Sequence, residues 1–313
     1  MDEIEVRHLR YFVAVAEELN FTRAAEKLGI AQPPLSRAIR QLERRLGVQL
    51  FERDTRRVEL APAGQVLLDE APRVLEVISA ATRRTSRVGA IVPCLVVTAK
   101  PGVASGLLRQ IVRRYSALPD ATPVEIAVSG YREQADMVRD GRADVALLSS
   151  PYDQRGLESE QLTVEPRVAA LPVEHPLASR SLLRCRDLDG QPMAQWTGAT
   201  PEERLYWSGR DRDLSGQFRR RQFDVVTRGP AVNNGAELLE VVSLGQAVAL
   251  IPRSLAESNP RADIAYRPVP DASPYVLAVA WPQGARARST AAFVRVAIEL
   301  TTDERPARAS ARD

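Results

Sequence analysis

The chain has 313 residues, a formal net charge of +3, 44% hydrophobic and 27% charged residues. This length allows two or three compact domains, and this composition excludes an intrinsically disordered protein. The first residues, MDEIEVRHLR, lack the apolar segment of a secretory signal, and no stretch approaches the ~18 apolar residues that a membrane helix needs. The sequence therefore predicts a cytoplasmic protein without a membrane anchor.

Residues that carry catalysis, metals or disulfides are sparse. Cys94 and Cys185 lie far apart and are expected to be reduced thiols, with a redox switch as the less favoured alternative. His8 and His175 are the only histidines, and no cysteine or histidine pair has zinc-ligand spacing. Ser129 has no histidine near it in sequence. We therefore expect no catalytic residue, no metal and no cofactor.

The first thirty residues predict two helices. Apolar residues recur at spacings of three and four, at Leu9, Phe12, Val13, Ala16 and Leu19. This spacing is typical of an amphipathic helix over residues 6–19. Thr22 is predicted to cap a second helix, Arg23–Leu28, which ends at Gly29.

A third helix, beginning at Pro33-Pro34, has two contrasting faces. Its apolar face is predicted to carry Leu35, Ile39, Leu42 and Leu46. The opposite face carries Arg37, Arg40, Gln41 and Arg44. Guanidinium and amide groups pair bidentately with base edges or clamp phosphates, so the second and third helices have the layout of a helix-turn-helix.

The segment after Gly47 predicts a hairpin with a cationic tip. Residues 48–51 and 58–60 have strand character, and the tip between them contains Arg53. From Arg23 to Arg57 there are nine cations and four acids, a net charge of +5 that suits DNA phosphates. A solvated helix face and a solvated hairpin are the alternatives.

The run LRYFVAVAEELNFTRAAEKLGIAQPPLSRAIRQLERRLGVQLFERDTRRVELAPAG resembles, without a gap, the DNA-binding domain of LysR-type transcriptional regulators. It is most similar to the branch that regulates aromatic-compound catabolism, in which AQPPLSR and LGVQLFER are typical. The resemblance implies a winged helix-turn-helix, with Glu43 in a structural role. It places the DNA contacts at Gln32, Pro33, Ser36, Arg37 and Arg40, with Arg53 in the wing.

Residues 63–90 predict a long helix with an apolar seam. Steps of four and three connect Leu67, Ala71, Val74, Ile78, Ala81, Thr85 and Val88. Pro72 is expected to kink this helix. The resemblance implies antiparallel pairing with a second copy, giving a homodimer, and tetramers are usual in the family. A helix packed only on its own chain is the alternative.

Beyond Pro93, strand and helix patterns alternate in two α/β units, and the βαβαβ order of the first predicts a parallel sheet covered by helices. Predicted strands are residues 95–99, 124–128, 143–149, 192–196, 223–226, 247–251 and 275–281; predicted helices are 105–116, 131–141, 202–209, 235–244 and 289–300. The segments LTVEPRVAALPVEHPLA, RDLDGQPM and LLEVVSLGQAVALIP resemble landmarks of the family's periplasmic-binding-protein-like effector domain.

The expected fold class is α/β: an N-terminal winged helix-turn-helix, a linker helix, and a two-lobed α/β effector domain. The expected domains are residues 1–62 (DNA-binding), 63–90 (linker), 91–302 (effector-binding) and 303–313 (a disordered tail).

Polar residues follow the predicted strands of both units, where open α/β sheets bind ligands. These are Thr98, Lys100, Ser129, Thr197, Asn233 and Asn234. The resemblance places them in a cleft between two lobes. Lys100 beside helix N-termini favours an acidic effector, and an exposed loop lysine is the alternative. The resemblance to the aromatic-catabolism branch implies an aromatic acid or a muconate-like diacid.

Three functional classes remain in competition. An effector-gated DNA-binding regulator explains both halves of the chain. A solute-binding receptor would share the C-terminal lobes but would need a signal peptide and would not need residues 1–60. An enzyme with an appended DNA-binding domain would need a nucleophile–base pair or a metal set, and the sequence offers neither.

Overall fold

The computed structural model describes residues 4–53, 58–89, 93–100, 102, 104–211 and 228–303. The chain divides into two compact units, Met1–Ser86 and Arg87–Asp313. Among the residues described, no helix has the length and apolar character to cross a membrane.

The first unit is a three-helix domain with a hairpin, as predicted. It contains α1 (Val6–Glu18), α2 (Phe21–Leu28), α3 (Gln32–Leu46), β1 (Phe51–Arg53), β2 (Val58–Leu60) and all but the last two residues of α4 (Pro62–Val88). Strands β1 and β2 pair antiparallel. The core joins Phe12 of α1, Leu35 of α3 and Phe51 of β1, and the rings of Phe12 and Phe51 lie 5.4 Å apart. Apolar periodicity therefore located the three helices to within a few residues.

Two local predictions in this unit are wrong. Asn20, not Thr22, caps α2, because the Asn20 Oδ1 accepts hydrogen bonds from the backbone N–H groups of Thr22 (2.9 Å) and Arg23 (3.0 Å). Leu46, predicted on the buried face of α3, is 36% exposed. It is the last residue of the helix, and Gly47 follows in the left-handed region at φ 71°.

Helix α4 divides its apolar residues between two environments. Leu67 and Ala71, predicted in a seam for a second copy, instead pack against the core of their own unit. They lie on the turns of α4 that follow the hairpin, where the helix covers that core. Val66, Val74 and Val77 are 65%, 44% and 64% exposed. The helix continues through Pro72. Among the described residues of α4, these three valines, rather than the whole predicted seam, are the exposed large apolar residues.

The second unit contains two lobes. Lobe 1 has a five-stranded sheet in the order β4-β3-β5-β12-β6. Its strands are β3 (Leu95–Ala99), β4 (Val124–Val128), β5 (Val145–Ser149), β6 (Leu157–Glu165) and β12 (Tyr275–Pro282), and its helices are α5 (Ser105–Ser116), α6 (Glu133–Arg139) and α10 (Arg288–Asp303). Strand β3 is parallel to β4 and β5, as predicted, whereas β12 is antiparallel to β5 and β6.

Lobe 2 contains an antiparallel sheet in the order β10-β7-β11 and the parallel pair β8-β9. Its strands are β7 (Arg167–Pro172), β8 (Met193–Trp196), β9 (Arg228–Val232), β10 (Ala249–Pro252) and β11 (Ile264–Pro268), and its α-helices are α7 (Pro201–Ser208), α8 (Gly235–Ser243) and α9 (Arg253–Ser258). Two 3₁₀ turns, Pro176–Ser179 and Cys185–Leu188, lie between β7 and β8.

Strand pairing in lobe 2 is mixed, although alternating strands and helices favour parallel neighbours. Strand β10 pairs antiparallel with β7, a strand that the α/β pattern did not single out. Val248, directly before β10, forms a parallel bridge with Met193 of β8. The strand predicted at residues 223–226 lies outside the described residues. Since β6 leads into β7 and β11 returns to β12, the chain crosses between the lobes twice.

Candidate functional site

Helix α3 has an exposed cationic face opposite a buried apolar face. Leu35, Ile39 and Leu42 are fully buried, which fixes the rotation of the helix about its axis. Arg37, Arg40 and Arg44 are exposed on the other side. Guanidinium groups held in this way can pair with guanine edges or with phosphates. The arrangement is that of a recognition helix.

The start of α3 and the hairpin complete this surface. The Gln32 Nε2 donates to Ser36 Oγ at 3.0 Å, and Pro33 is exposed beside them. The Glu43 Oε1 accepts from the backbone N–H groups of Leu50 (3.1 Å) and Phe51 (3.3 Å), so this carboxylate ties the third helix to the first strand of the hairpin. The side chain of Arg53 and the hairpin tip, residues 54–57, lie outside the described residues.

A cavity of about 400 Å³ lies between the two lobes of the second unit. Its walls come from the loop after β3, the loop between β4 and α6, the end of β8 and helix α7. Lining residues include Lys100, Tyr131, Arg132, Thr197, Gly198, Glu203 and Trp207. These segments follow strands of both lobes, which is where ligands bind in open α/β folds.

The Lys100 ammonium sits within three aromatic rings, here called the aromatic box: Tyr131, Trp196 and Trp207. Its Nζ lies 3.7 Å from the Trp196 ring centroid, 4.8 Å from that of Tyr131 and 5.8 Å from that of Trp207. The negative faces of aromatic rings attract cations at these distances. Among the described residues, no carboxylate oxygen lies within ion-pair distance of this ammonium.

Burial dominates the electrostatics of the box. Loss of solvent around Lys100 lowers the pKa of its ammonium to about 7, while the negative charge of Glu203 acts in the opposite direction. Burial also raises the pKa of the Tyr131 hydroxyl above its ordinary value, so this phenol stays protonated. Near neutral pH, Lys100 can therefore exist as a cation or as a neutral amine.

Side chains of the two lobes meet directly at this cavity. The rings of Tyr131 (lobe 1) and Trp196 (lobe 2) stack with centroids 4.8 Å apart and planes inclined by 15°. The Trp207 Nε1 donates to the Tyr131 hydroxyl at 3.0 Å. Arg132 pairs through Nε with Glu203 Oε1 at 3.2 Å and donates to the carbonyl of Gly198. The interlobe contacts are thus both aromatic and ionic.

Carboxylates of the chain already accept hydrogen bonds from backbone N–H groups at the starts of three helices of the two lobes. Gly130 donates to Glu133 Oε2 at 2.9 Å, Thr200 to Glu203 Oε2 at 2.7 Å, and Asn233 to Glu237 Oε2 at 2.8 Å. Such groups attract anions. The helix termini that the sequence offered for a ligand anion are therefore partly satisfied internally.

The structure separates the six predicted effector residues into three sets. Lys100 and Thr197 line the cavity. Thr98 and Ser129 are buried, and their hydroxyls hydrogen-bond each other at 2.7 Å. Asn233 and Asn234 do not line this cavity, and both side chains donate to the Glu237 carboxylate at 2.9 and 2.8 Å.

Sequence reasoning missed the aromatic box, Arg132 and Glu203. Tyr131 lies two residues after Ser129, and Trp196 directly precedes Thr197, so two box members adjoin predicted cleft residues. Two of the three tryptophans in the chain belong to the box. A concentration of rare, large aromatics at the carboxyl ends of strands was the available signal.

Comparison with known proteins agrees with both parts of the molecule. The family described as "Bacterial regulatory helix-turn-helix protein, lysR family" matches residues 6–65, and the "LysR substrate binding domain" matches residues 93–301. The chain is 31% identical over 301 residues to the Hca operon transcriptional activator HcaR of Escherichia coli (strain K12), covering 95% of this chain and 98% of that protein.

Two further similarities extend over most of the chain. The HTH-type transcriptional regulator CatR of Pseudomonas putida is 34% identical over 281 residues, covering 88% of this chain and 92% of CatR. The crystal structure of full-length BenM, a regulator of Acinetobacter baylyi, superposes with a TM-score of 0.51 at 26% identity, covering 96% of this chain and 98% of BenM.

A helix-turn-helix domain followed by a two-lobed ligand-binding domain defines a DNA-binding regulator, not an enzyme. The chain belongs to the LysR family of transcriptional regulators. Members of this family bind DNA through the first domain and small effector molecules through the second.

Proposed function

We propose that this protein binds promoter DNA through α3 and the hairpin, and that a small anionic effector in the interlobe cavity modulates its action on promoters. The proposed DNA contacts are Gln32, Pro33, Ser36, Arg37, Arg40 and Arg53. The exposed guanidinium groups of α3, set on a fully buried apolar face, support this assignment.

One observation carries the proposed effector class: the half-buried Lys100 side chain places a poorly solvated ammonium at the cavity, without a carboxylate in ion-pair distance among the described residues. A buried cation gains most from an anion that can be brought to it. Thr197 lines the same cavity, and Thr98, Ser129, Asn233 and Asn234 remain proposed effector residues. The resemblance to the aromatic-catabolism branch and the box rings favour aromatic acids or muconate-like diacids.

Calorimetric titration of the full-length chain tests the effector class. Aromatic acids and muconate-like diacids are titrated beside their neutral amides, and Lys100→Met is compared with wild type. Lys27→Met is the matched control, since Lys27 is the only other lysine and lies exposed in the first unit. We expect acid binding that Lys100→Met weakens by about tenfold or more and Lys27→Met leaves unchanged.

A different pattern would overturn the proposal. Binding of a neutral or cationic compound that Lys100→Met leaves unaffected contradicts the anionic class. It would leave only the location of the effector cavity as a proposal.

We further propose that the protein works in the cytoplasm as a homodimer and assembles into a homotetramer. The exposed Val66, Val74 and Val77 on α4 support pairing with a second copy, because apolar side chains on one helix face gain by burial against a partner.

A further inference from the structure

The cleft contains a buried carboxylate, Glu203, that neither the sequence nor the proposed effector contacts account for. Glu203 is 5% exposed and lies in the first turn of α7. Its Oε2 accepts from the Thr200 N–H at 2.7 Å, and its own N–H donates to Thr200 Oγ1 at 3.2 Å. This reciprocal pair is a capping box.

The same carboxylate interacts with two cations at the cavity, through an ion pair with Arg132 and through its charge with Lys100. Arg132 pairs with Oε1 at 3.2 Å, and the charge of Glu203 favours the protonated form of Lys100. Glu133, which also lines the cavity, and Glu237, at the start of α8, likewise accept backbone N–H bonds, but they form no ion pair among the described residues. The Glu203 carboxylate therefore interacts with a helix N-terminus, with the Arg132 guanidinium and, through its charge, with the Lys100 ammonium.

A helix N-terminus, a guanidinium and an ammonium are also the groups that a binding site for an anionic ligand needs. A ligand carboxylate that binds Lys100 and Arg132 must compete with the Glu203 carboxylate, which already forms an ion pair with Arg132. Two carboxylates in a poorly solvated pocket repel each other, so the resident one raises the cost of binding the second.

We propose that Glu203 is an internal competitor of the effector carboxylate. Its carboxylate interacts with the same positive groups, the Arg132 guanidinium, the Lys100 ammonium and the N-terminus of α7, and so sets the effector concentration at which the regulator responds. This inference rests on the proposed anionic effector. It gives Glu203 a specificity-determining role, since only a ligand that pairs with these cations better than Glu203 does can bind tightly.

The competition also links binding to the arrangement of the lobes. Arg132 belongs to lobe 1 and Glu203 to lobe 2, so their ion pair is an interlobe contact. Arg132 has φ 71°, a left-handed conformation that is unfavourable for a residue with a side chain. An effector carboxylate that pairs with Arg132 in place of Glu203 breaks an ion pair between the lobes. Ligand affinity and lobe arrangement are thereby coupled through one guanidinium.

The test is calorimetric titration of full-length wild type and Glu203→Gln at neutral pH with benzoate and its neutral amide, benzamide. Glutamine keeps an oxygen that can accept from Thr200 but removes the negative charge. We expect Glu203→Gln to bind benzoate about ten- to hundredfold more tightly than wild type does. Benzamide affinity should be the same for both proteins.

Two controls separate charge from folding. Thr200→Ala removes the hydroxyl half of the capping box and leaves the charge. Glu165→Gln removes a carboxylate that accepts from the Ser254 N–H at 2.7 Å, at the start of a different helix, and that does not line this cavity. Both should bind benzoate as wild type does. Melting temperatures are measured for all variants, and Glu203→Ala provides a second neutral variant if Glu203→Gln is unstable.

Each outcome decides the inference. Benzoate binding by Glu203→Gln, where wild type binds weakly or not at all, supports it. Equal or weaker binding by the neutral variants overturns it, and wild-type binding that depends on Lys100 would then leave the proposed effector class intact. Absence of benzoate binding to Glu203→Gln also overturns it, because a carboxylate site freed of its competitor should accept this probe.

Discussion

Raising the pH from 7 to 9 should stabilise the second unit through Lys100, and Lys100→Met should abolish this contribution. In the unfolded chain Lys100 keeps its proton over this range, because the ordinary pKa is 10.5, whereas burial lowers the pKa in the folded state to about 7. The unfolded state therefore binds more protons, and the free energy of unfolding rises with pH. Integrated from pH 7 to 9, this contribution is about 2 kcal/mol.

Urea unfolding at pH 7 and pH 9, followed by tryptophan fluorescence, measures this effect. The three tryptophans, Trp196, Trp207 and Trp281, all lie in the second unit, so their emission reports on it alone. Wild type should gain about 2 kcal/mol more than Lys100→Met between the two pH values, and Lys27→Met should behave as wild type. The same pH dependence in wild type and Lys100→Met would refute a depressed pKa at Lys100.

Four further variants test the first unit and the assembly. Ile39→Ala, at a fully buried position of α3, should cost about 2–5 kcal/mol of stability by thermal denaturation, and a loss far smaller would contradict its place in the core. Arg37→Ala should cost about 1–3 kcal/mol of specific DNA binding by fluorescence anisotropy. Arg53→Ala should weaken binding evenly across sequences and flatten the salt dependence, and a loss confined to one sequence would contradict a backbone contact. Replacing Val74 and Val77 together with Asp should give monomers in light scattering, and an unchanged mass would exclude the exposed face of α4 as the dimer contact.

The first unit was accessible from sequence because each of its elements is a local pattern. The apolar spacing of Leu35, Ile39 and Leu42 fixes one face of α3 whatever lies beyond it. The capping residue was harder to assign, because Asn20 and Thr22 both have side chains that can accept from nearby N–H groups. The hydrogen bonds that the Asn20 side chain accepts in the structure identify it as the cap, which residue preference alone could not decide.

The sheet of the second lobe was less accessible, because its pairing is non-local. Ala249 of β10 lies beside Ala170 of β7, nearly eighty residues earlier in the chain. The alternation of strands and helices suggests parallel neighbours, but it contains no information about such a return. Leu67 and Ala71 illustrate the same limit, since one apolar spacing serves equally for a partner helix and for the chain's own core.

The sequence predicted some of the residues at the interlobe cavity and missed others. Turns after strands located Lys100 and Thr197, because ligand sites in α/β folds follow strand ends. The box and the Arg132–Glu203 pair depend on how two lobes meet, so no local pattern contains them. The capping box of Thr200 and Glu203 could have been predicted from sequence, but its contact with the other lobe could not.

The central claim, that α3 reads DNA sequence, is tested most directly by sequencing the genomic fragments that the full-length protein retains. Wild type and Arg37→Ala are each incubated with sheared DNA of the source genome at physiological salt. Wild type should enrich a small set of discrete sites containing two related half-sites, and Arg37→Ala should lose that enrichment while retaining weak, uniform binding. Equal enrichment of the same sites by both proteins, or no enriched sites with wild type, would contradict the account.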